Sequence, residues 1–144
     1  SDIEQKEKFD RVDDAVCAVR SALEEGIVAG GGVPLLKISK ELQTNVSNAE
    51  EKVALQILKD ALSVPCKQIL INAGEDEDSI IKFILDDKRG YDVKNQEFGD
   101  MYKMGVIDPL KVTKNALINA VSVATTILST NAIITLARSY DNKQ

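Results

Sequence analysis

The sequence predicts an all-α, mainly helical fold with minor β pieces. Three observations carry that expectation. Apolar residues recur at three- and four-residue spacing along most of the chain. Glycines and prolines fall where such runs stop and restart. Only two short stretches, Tyr91 to Lys94 and the segment around Ile133 and Ile134, read as strand.

The first helix is expected from Ile3 to Glu25. Phe9, Val12, Val16, Val19 and Leu23 form one stripe, and no Gly or Pro interrupts until Gly26, which fits a C′ glycine. At about 1.5 Å per residue such a helix runs to more than 30 Å, a strut and not a core turn. Asp14 points away from the stripe, on the side shared with Glu7, Ser21 and Glu25, as a solvated carboxylate would. Gly30-Gly31-Gly32-Val33-Pro34 then reads as a tight turn followed by a helix start, Pro34 suiting the first turn. Bare N–H groups at a helix start can seat a phosphate. The run is neither G-x-G-x-x-G nor a Walker A loop, so on residues alone a plain connector between two packed helices is the favoured reading.

Pro34 to Leu42 forms a short amphipathic helix through Leu35, Leu36, Ile38 and Leu42, and Gln43 to Ser47 is turn-like. Asn48, three residues before Glu51, approximates a capping box. Val53, Ala54, Ile57, Leu58, Ala61 and Leu62 give the next helix its buried face. Pro65 is expected to interrupt it and open a new helix that Ala73-Gly74 closes, with Cys66 inside as a small buried hydrophobe. Glu75-Asp76-Glu77-Asp78 is read as acids favouring a helix dipole, because Ile80, Ile81, Phe83, Ile84 and Leu85 follow and the spacing is not that of an EF-hand. Asp86 to Gly90 is a turn, and Glu97 to Val106 is irregular. Asp108 as N-cap and Pro109 as N1 open the longest helix of the second half, with a face of Val112, Ala116, Ala120, Val123, Ala124 and Ile127. Ile133, Ile134 and Leu136 then suggest a lone edge strand that seeks another chain, and residues from Arg138 onward are expected to fray.

Composition narrows the function. The 144 residues suffice for one domain with a real core. A net charge of −5 leaves no basic stripe for nucleic acid. No apolar run reaches membrane-spanning length, and no signal-peptide pattern opens the chain. Histidine is absent, which removes every Ser-His triad and the usual zinc ligand. Cys17 and Cys66 form no C-x-x-C and are read as reduced, in an intracellular protein. Ser1 in place of methionine suggests a trimmed or processed chain.

Five blocks in fixed order carry a resemblance. They are Arg11-Val12-Asp13-Asp14-Ala15, Glu24 to Gly32, Asn72-Ala73-Gly74-Glu75, Gly90-Tyr91-Asp92, and Met104-Gly105-Val106-Ile107-Asp108-Pro109-Leu110-Lys111-Val112-Thr113. Together they closely resemble the group I chaperonins of the GroEL type, over essentially the whole chain. The resemblance implies a C-terminal piece of a family member: residues 1–25 as the descending helix of the intermediate domain, residues 26–144 as the C-terminal half of the equatorial domain. The family's Gly-Asp-Gly-Thr phosphate loop, apical domain and Gly-Gly-Met tail have no counterpart in these residues.

By the same resemblance Asp14 takes the position of the catalytic aspartate, which positions or activates the attacking water. Gly31 falls at the nucleotide-contacting glycine, and Asp108 at the aspartate that binds the ribose of ATP. Asp92 and Val93 fall where the family usually has Asn-Ala near the adenine; an Asp there lacks the amide donor. The strand near Ile133 and Ile134 would pair with a neighbouring subunit.

The implied complete protein is an ATP-dependent folding chaperone. It would form heptameric rings, use ATP with Mg and K, bind unfolded polypeptides and a co-chaperonin lid, and work in the bacterial cytoplasm or a mitochondrial or other organellar matrix. Nucleic acid and membrane are not expected partners. Alone, the piece is expected neither to hydrolyse ATP nor to fold clients, and to self-associate as a non-native oligomer through exposed apolar surface. The alternative is a free-standing helical interaction module without nucleotide binding.

Overall fold

Local capping explains where the first helix starts. In the computed structural model, which describes residues 1–43, 48–87 and 89–135, α1 spans Asp2–Glu25. Ser1 Oγ accepts from the Glu4 N–H while Glu4 reaches back to the chain's first nitrogen, a reciprocal capping box. Gly26, at φ 88°, ends the helix. No residue of α1 is buried; Leu23 of the apolar stripe is 82% exposed. Only the foot of α1 is engaged, through ion pairs from Lys111 to Glu24 and Lys114 to Glu25.

The chain next enters a short ladder. β1 (Ile27–Ala29) pairs antiparallel with β4 (Ile107–Pro109), Val28 lying opposite Asp108. Two further bonds extend it: Leu110 N–H donates to the Gly26 carbonyl, and Gly30 N–H to the Val106 carbonyl. This pairing corrects one expectation. Asp108 and Pro109 belong to β4, and α5 (Leu110–Leu128) begins after them with Pro109 at the cap position. Their backbone is committed to β1, so ladder pairing prevails over local capping chemistry. The small-residue face of α5 is not buried either.

The core lies between these outer helices in sequence. α2 (Val33–Glu41) contributes Val33 and Leu36, α3 (Ala49–Asn72) contributes Cys66 and Leu70, and α4 (Glu77–Asp87) contributes Ile80 and Ile84. Tyr91 of β2 (Gly90–Asp92) and Met101 complete the cluster. The four-residue steps from Leu62 to Cys66 to Leu70 put one buried stripe on α3. α3 runs unbroken through Pro65, against the expectation of a new helix there. Proline removes one backbone bond but does not end a helix whose burial on both sides of it holds the chain in place.

β2 pairs with β3 (Glu97–Gly99) in a hairpin, so the stretch from Glu97 is not wholly irregular. The four acids Glu75 to Asp78, which lead into the first turn of α4, all find protein partners. Glu75 accepts from Tyr91 Oη at 2.9 Å, Asp76 from Ser79 Oγ at 2.6 Å, and Glu77 and Asp78 pair with Lys67.

Residues 131–135 form no strand, and Ile134 is 97% exposed. No described strand lies beside them, and a lone segment has nothing to pair with. Leu136 and the residues from Arg138 onward lie outside the described residues, as do positions 44–47 of the expected turn.

Candidate functional site

Three consecutive glycines meet three different neighbours. A Cβ on Gly30 would lie 3.0 Å from Val106 Cγ1, against the lead-in to β4. A Cβ on Gly32 would lie 2.7 Å from the Cys66 backbone nitrogen, inside the α2–α3 packing. Gly31 sits between them at φ 70° and lines a cleft of about 590 Å³. The turn thus draws β4 to one side and α3 to the other, leaving the middle glycine at the opening between them.

The opposite wall is the β2–β3 hairpin with the loop that precedes β4. Asp92, Val93, Lys94 and Asn95 line the cleft, as do Met104, Gly105, Val106 and Ile107. Asp92 is only 7% exposed. Its Oδ1 accepts from the backbone N–H of Lys94 at 2.9 Å and of Asn95 at 3.4 Å, and its Oδ2 from Asn95 Nδ2 at 2.7 Å. This is an Asx-type turn closed by a second side chain. Tyr91 is anchored from below: burial, with the hydrogen bond to Glu75, pushes its phenol up from its ordinary value.

The floor is apolar, with Val33, Leu70 and Ile84 reaching it from three helices. Cys66 lines it as well, and burial pushes its thiol up, which suits a packing residue and not a nucleophile. Burial likewise raises the carboxyl of Asp108, which stands next to the cleft-lining Ile107.

The structure therefore brings Gly31, Asp92 and Val93 to one cleft, whereas Asp108 is not among its lining residues and sits on β4 opposite Val28, one position after the lining Ile107. Asp14 is not among the cleft residues. It is exposed on α1 and has no hydrogen-bond or ion-pair partner among the described residues. The α2 start offers fewer donors than the Gly turn suggests, because Pro34 occupies its first turn.

Sequence reasoning missed Lys94, Asn95 and Val106 as cleft residues. The Asp92-x-x-Asn95 spacing between two short strands was the available signal, since Asp and Asn at that interval close a turn.

The cleft falls within the usual size range of ligand pockets, roughly 300–1,000 Å³. Its lining combines an apolar floor with the polar residues of the hairpin. Among the described residues no group of three or more His, Cys, Asp or Glu is placed to hold a metal ion, and no helix is long and apolar enough to cross a membrane.

One comparison with known proteins bears on this arrangement. The sequence model of the TCP-1/cpn60 chaperonin family matches residues 1–138, from the capped start of α1 to beyond α5, and so takes in the Gly turn, the hairpin and β4. A match over nearly the whole length assigns the family: the chain belongs to the TCP-1/cpn60 chaperonins.

Proposed function

We propose that the chain is the C-terminal part of a group I, GroEL-type chaperonin and that its cleft is one half of an ATP site. Family membership supports a chaperone role. The single observation that carries the nucleotide reading is the convergence of Gly31, Asp92 and Val93 on one cleft. In this reading residues 1–25 are the intermediate-domain helix and residues 26–144 the equatorial half.

The roles follow from chemistry at each position. Gly31 has no side chain, so backbone and ligand can approach closely. The Asp108 carboxylate accepts from ribose hydroxyls, and its raised pKa reflects the poorly solvated setting that strengthens such bonds. Asp14, exposed on a long helix, is the residue that reaches the γ-phosphate when that helix is brought over the site. Mg and K would take their ligands from the phosphates and from parts of the complete protein beyond these residues. The cleft alone supplies too few charges for phosphoryl transfer, so the isolated chain neither turns over ATP nor folds clients.

Unfolded polypeptides, a co-chaperonin lid and further copies in a heptameric ring are the partners of the complete protein in this reading. Its compartment is the bacterial cytoplasm or a mitochondrial or other organellar matrix.

Calorimetric titration with ATP, in Mg and K, tests the proposal on this chain and on the complete chain encoded by its gene. Binding by the complete chain alone is the expected result. Turnover by the complete chain should be lost in Asp14→Ala with ATP binding retained. Turnover by the isolated chain, abolished by Asp14→Ala, would overturn the half-site reading.

A further inference from the structure

The open end of the β2–β3 hairpin is built from glycine and sulfur. Gly90 and Gly99 lie directly opposite each other in the ladder. A Cβ on Gly90 would lie 2.3 Å from Met101 Sδ, and a Cβ on Gly99 would lie 2.2 Å from Met104 Sδ. The chain's two methionines therefore fill the places that the two glycines leave empty. The loop that carries them is tight. Met104 N–H donates to the Asp100 carbonyl at 3.0 Å, and Val106 N–H to the Met101 carbonyl at 2.9 Å.

The two sulfurs differ in access. Met101 is 3% exposed and belongs to the core cluster. Met104 is half-buried and lines the cleft. A thioether is oxidised where an oxidant can reach its lone pairs. At Met104 the side turned to Gly99 is closed by that strand, so the reachable side is the one toward the cleft.

We propose that Met104 is an oxidation site of this chain, that its oxidant is a peroxide, and that the modification weakens ligand binding in the cleft. A sulfur lone pair attacks the terminal peroxide oxygen. The S–O bond forms as the O–O bond breaks, and the proton of the transferred oxygen passes to the departing one, which leaves as water or an alcohol. Sulfur gives up an electron pair and the peroxide gains it. Sulfoxide reductases restore the thioether, so the mark is reversible.

The product carries a strong acceptor oxygen on a wall that was apolar at that point. Such an oxygen either keeps its water, which then stands where a ligand would sit, or is buried without a partner; both oppose binding. This last step rests on the nucleotide reading of the cleft, and the oxidation itself does not.

The test uses the complete chain encoded by the gene, treated with hydrogen peroxide and mapped by peptide mass. A thiol reductant is added before mapping, because the exposed Cys17 is oxidised too; thiol reverses its sulfenic and disulfide forms and leaves methionine sulfoxide in place. Met104 is expected to gain its oxygen roughly tenfold faster than Met101, or more, since Met101 reacts only when the fold opens. Bound ATP should slow Met104 and leave Met101 unchanged. Peroxide should lower ATP affinity roughly tenfold in the parent. It should cause no such drop in Met104→Leu, a replacement of similar volume without the sulfur. Equal oxidation rates at Met101 and Met104 overturn the site. An equal drop in parent and Met104→Leu overturns the effect on the cleft. A parent that binds no ATP before treatment overturns the nucleotide reading and the effect on binding with it, while the ratio of the two oxidation rates still decides the site.

Discussion

Gly32 and Cys66 are packed so closely that a Cβ on the glycine would come within 2.7 Å of the cysteine's backbone nitrogen. The contact joins the start of α2 to the last third of α3, at a cysteine of the core cluster. Gly32 also sits at φ 71°. Gly32→Ala should cost about 3 kcal/mol, combining a left-handed penalty of 1–2 kcal/mol with overpacking of 1–3 kcal/mol. Gly74→Ala is the control, since Gly74 ends α3 at φ 76° with nothing within 4 Å of an added Cβ. It should show only the first penalty, about 1–2 kcal/mol. Urea midpoints of the two variants measure the difference; equal losses would contradict the packing account.

Asp108 should make stability depend on pH in the sense opposite to most carboxylates. Burial raises its folded pKa above the ordinary value, so the folded chain binds a proton more tightly than the unfolded one. Stability then falls as pH rises from the ordinary carboxylate range through the raised folded value, and the cost is complete above it. Asp108→Asn should be more stable than the parent at neutral pH, and the advantage should vanish on acidification. The same variant should bind ATP more weakly in the complete chain, trading function for stability. A variant no more stable than the parent at neutral pH would contradict the burial account.

Pro65 lies inside α3 with no N–H to offer the preceding turn. It is exposed, so its ring contributes little to the core. Pro65→Ala should raise stability by about 1–3 kcal/mol, the range set by helix propensity less any repacking. Thermal unfolding followed by circular dichroism reads this directly. A lower melting temperature would show that the proline sets how Leu62, Cys66 and Leu70 face the core.

The apolar stripe of α1 should drive self-association of the isolated chain. Phe9, Val12, Val19 and Leu23 are exposed on one face. Light scattering at high concentration is expected to give a mass above the monomer. Val12→Ser with Val19→Ser should shift it toward the monomer while altering stability by less than about 0.5 kcal/mol. A monomeric parent at high concentration would contradict this.

Periodicity made the helices legible, because a stripe such as Leu62, Cys66, Leu70 is a local property of the sequence. Pro65 misled for the same reason: local chemistry says stop, and only burial on both sides of it keeps α3 whole. The β1–β4 ladder was invisible, since Val28 and Asp108 are 80 positions apart and three-residue strands carry almost no pattern. That unseen ladder is also why Asp108 was read as a cap. Of the site, Gly31, Asp92 and Val93 were legible only through the family resemblance. Asn95 was not, because what singles it out is the side chain of another residue.

The ladder that ties Gly26 to Leu110 also makes α1 a lever with its fulcrum at its lower end. Twelve positions separate Gly26 from Asp14, about 18 Å at helical rise. A tilt of about 10° at the glycine would sweep the Asp14 carboxylate some 3 Å, roughly a hydrogen-bond length. An exposed helix held only at its foot therefore converts a small rotation near the cleft into the making or breaking of a contact far from the pivot.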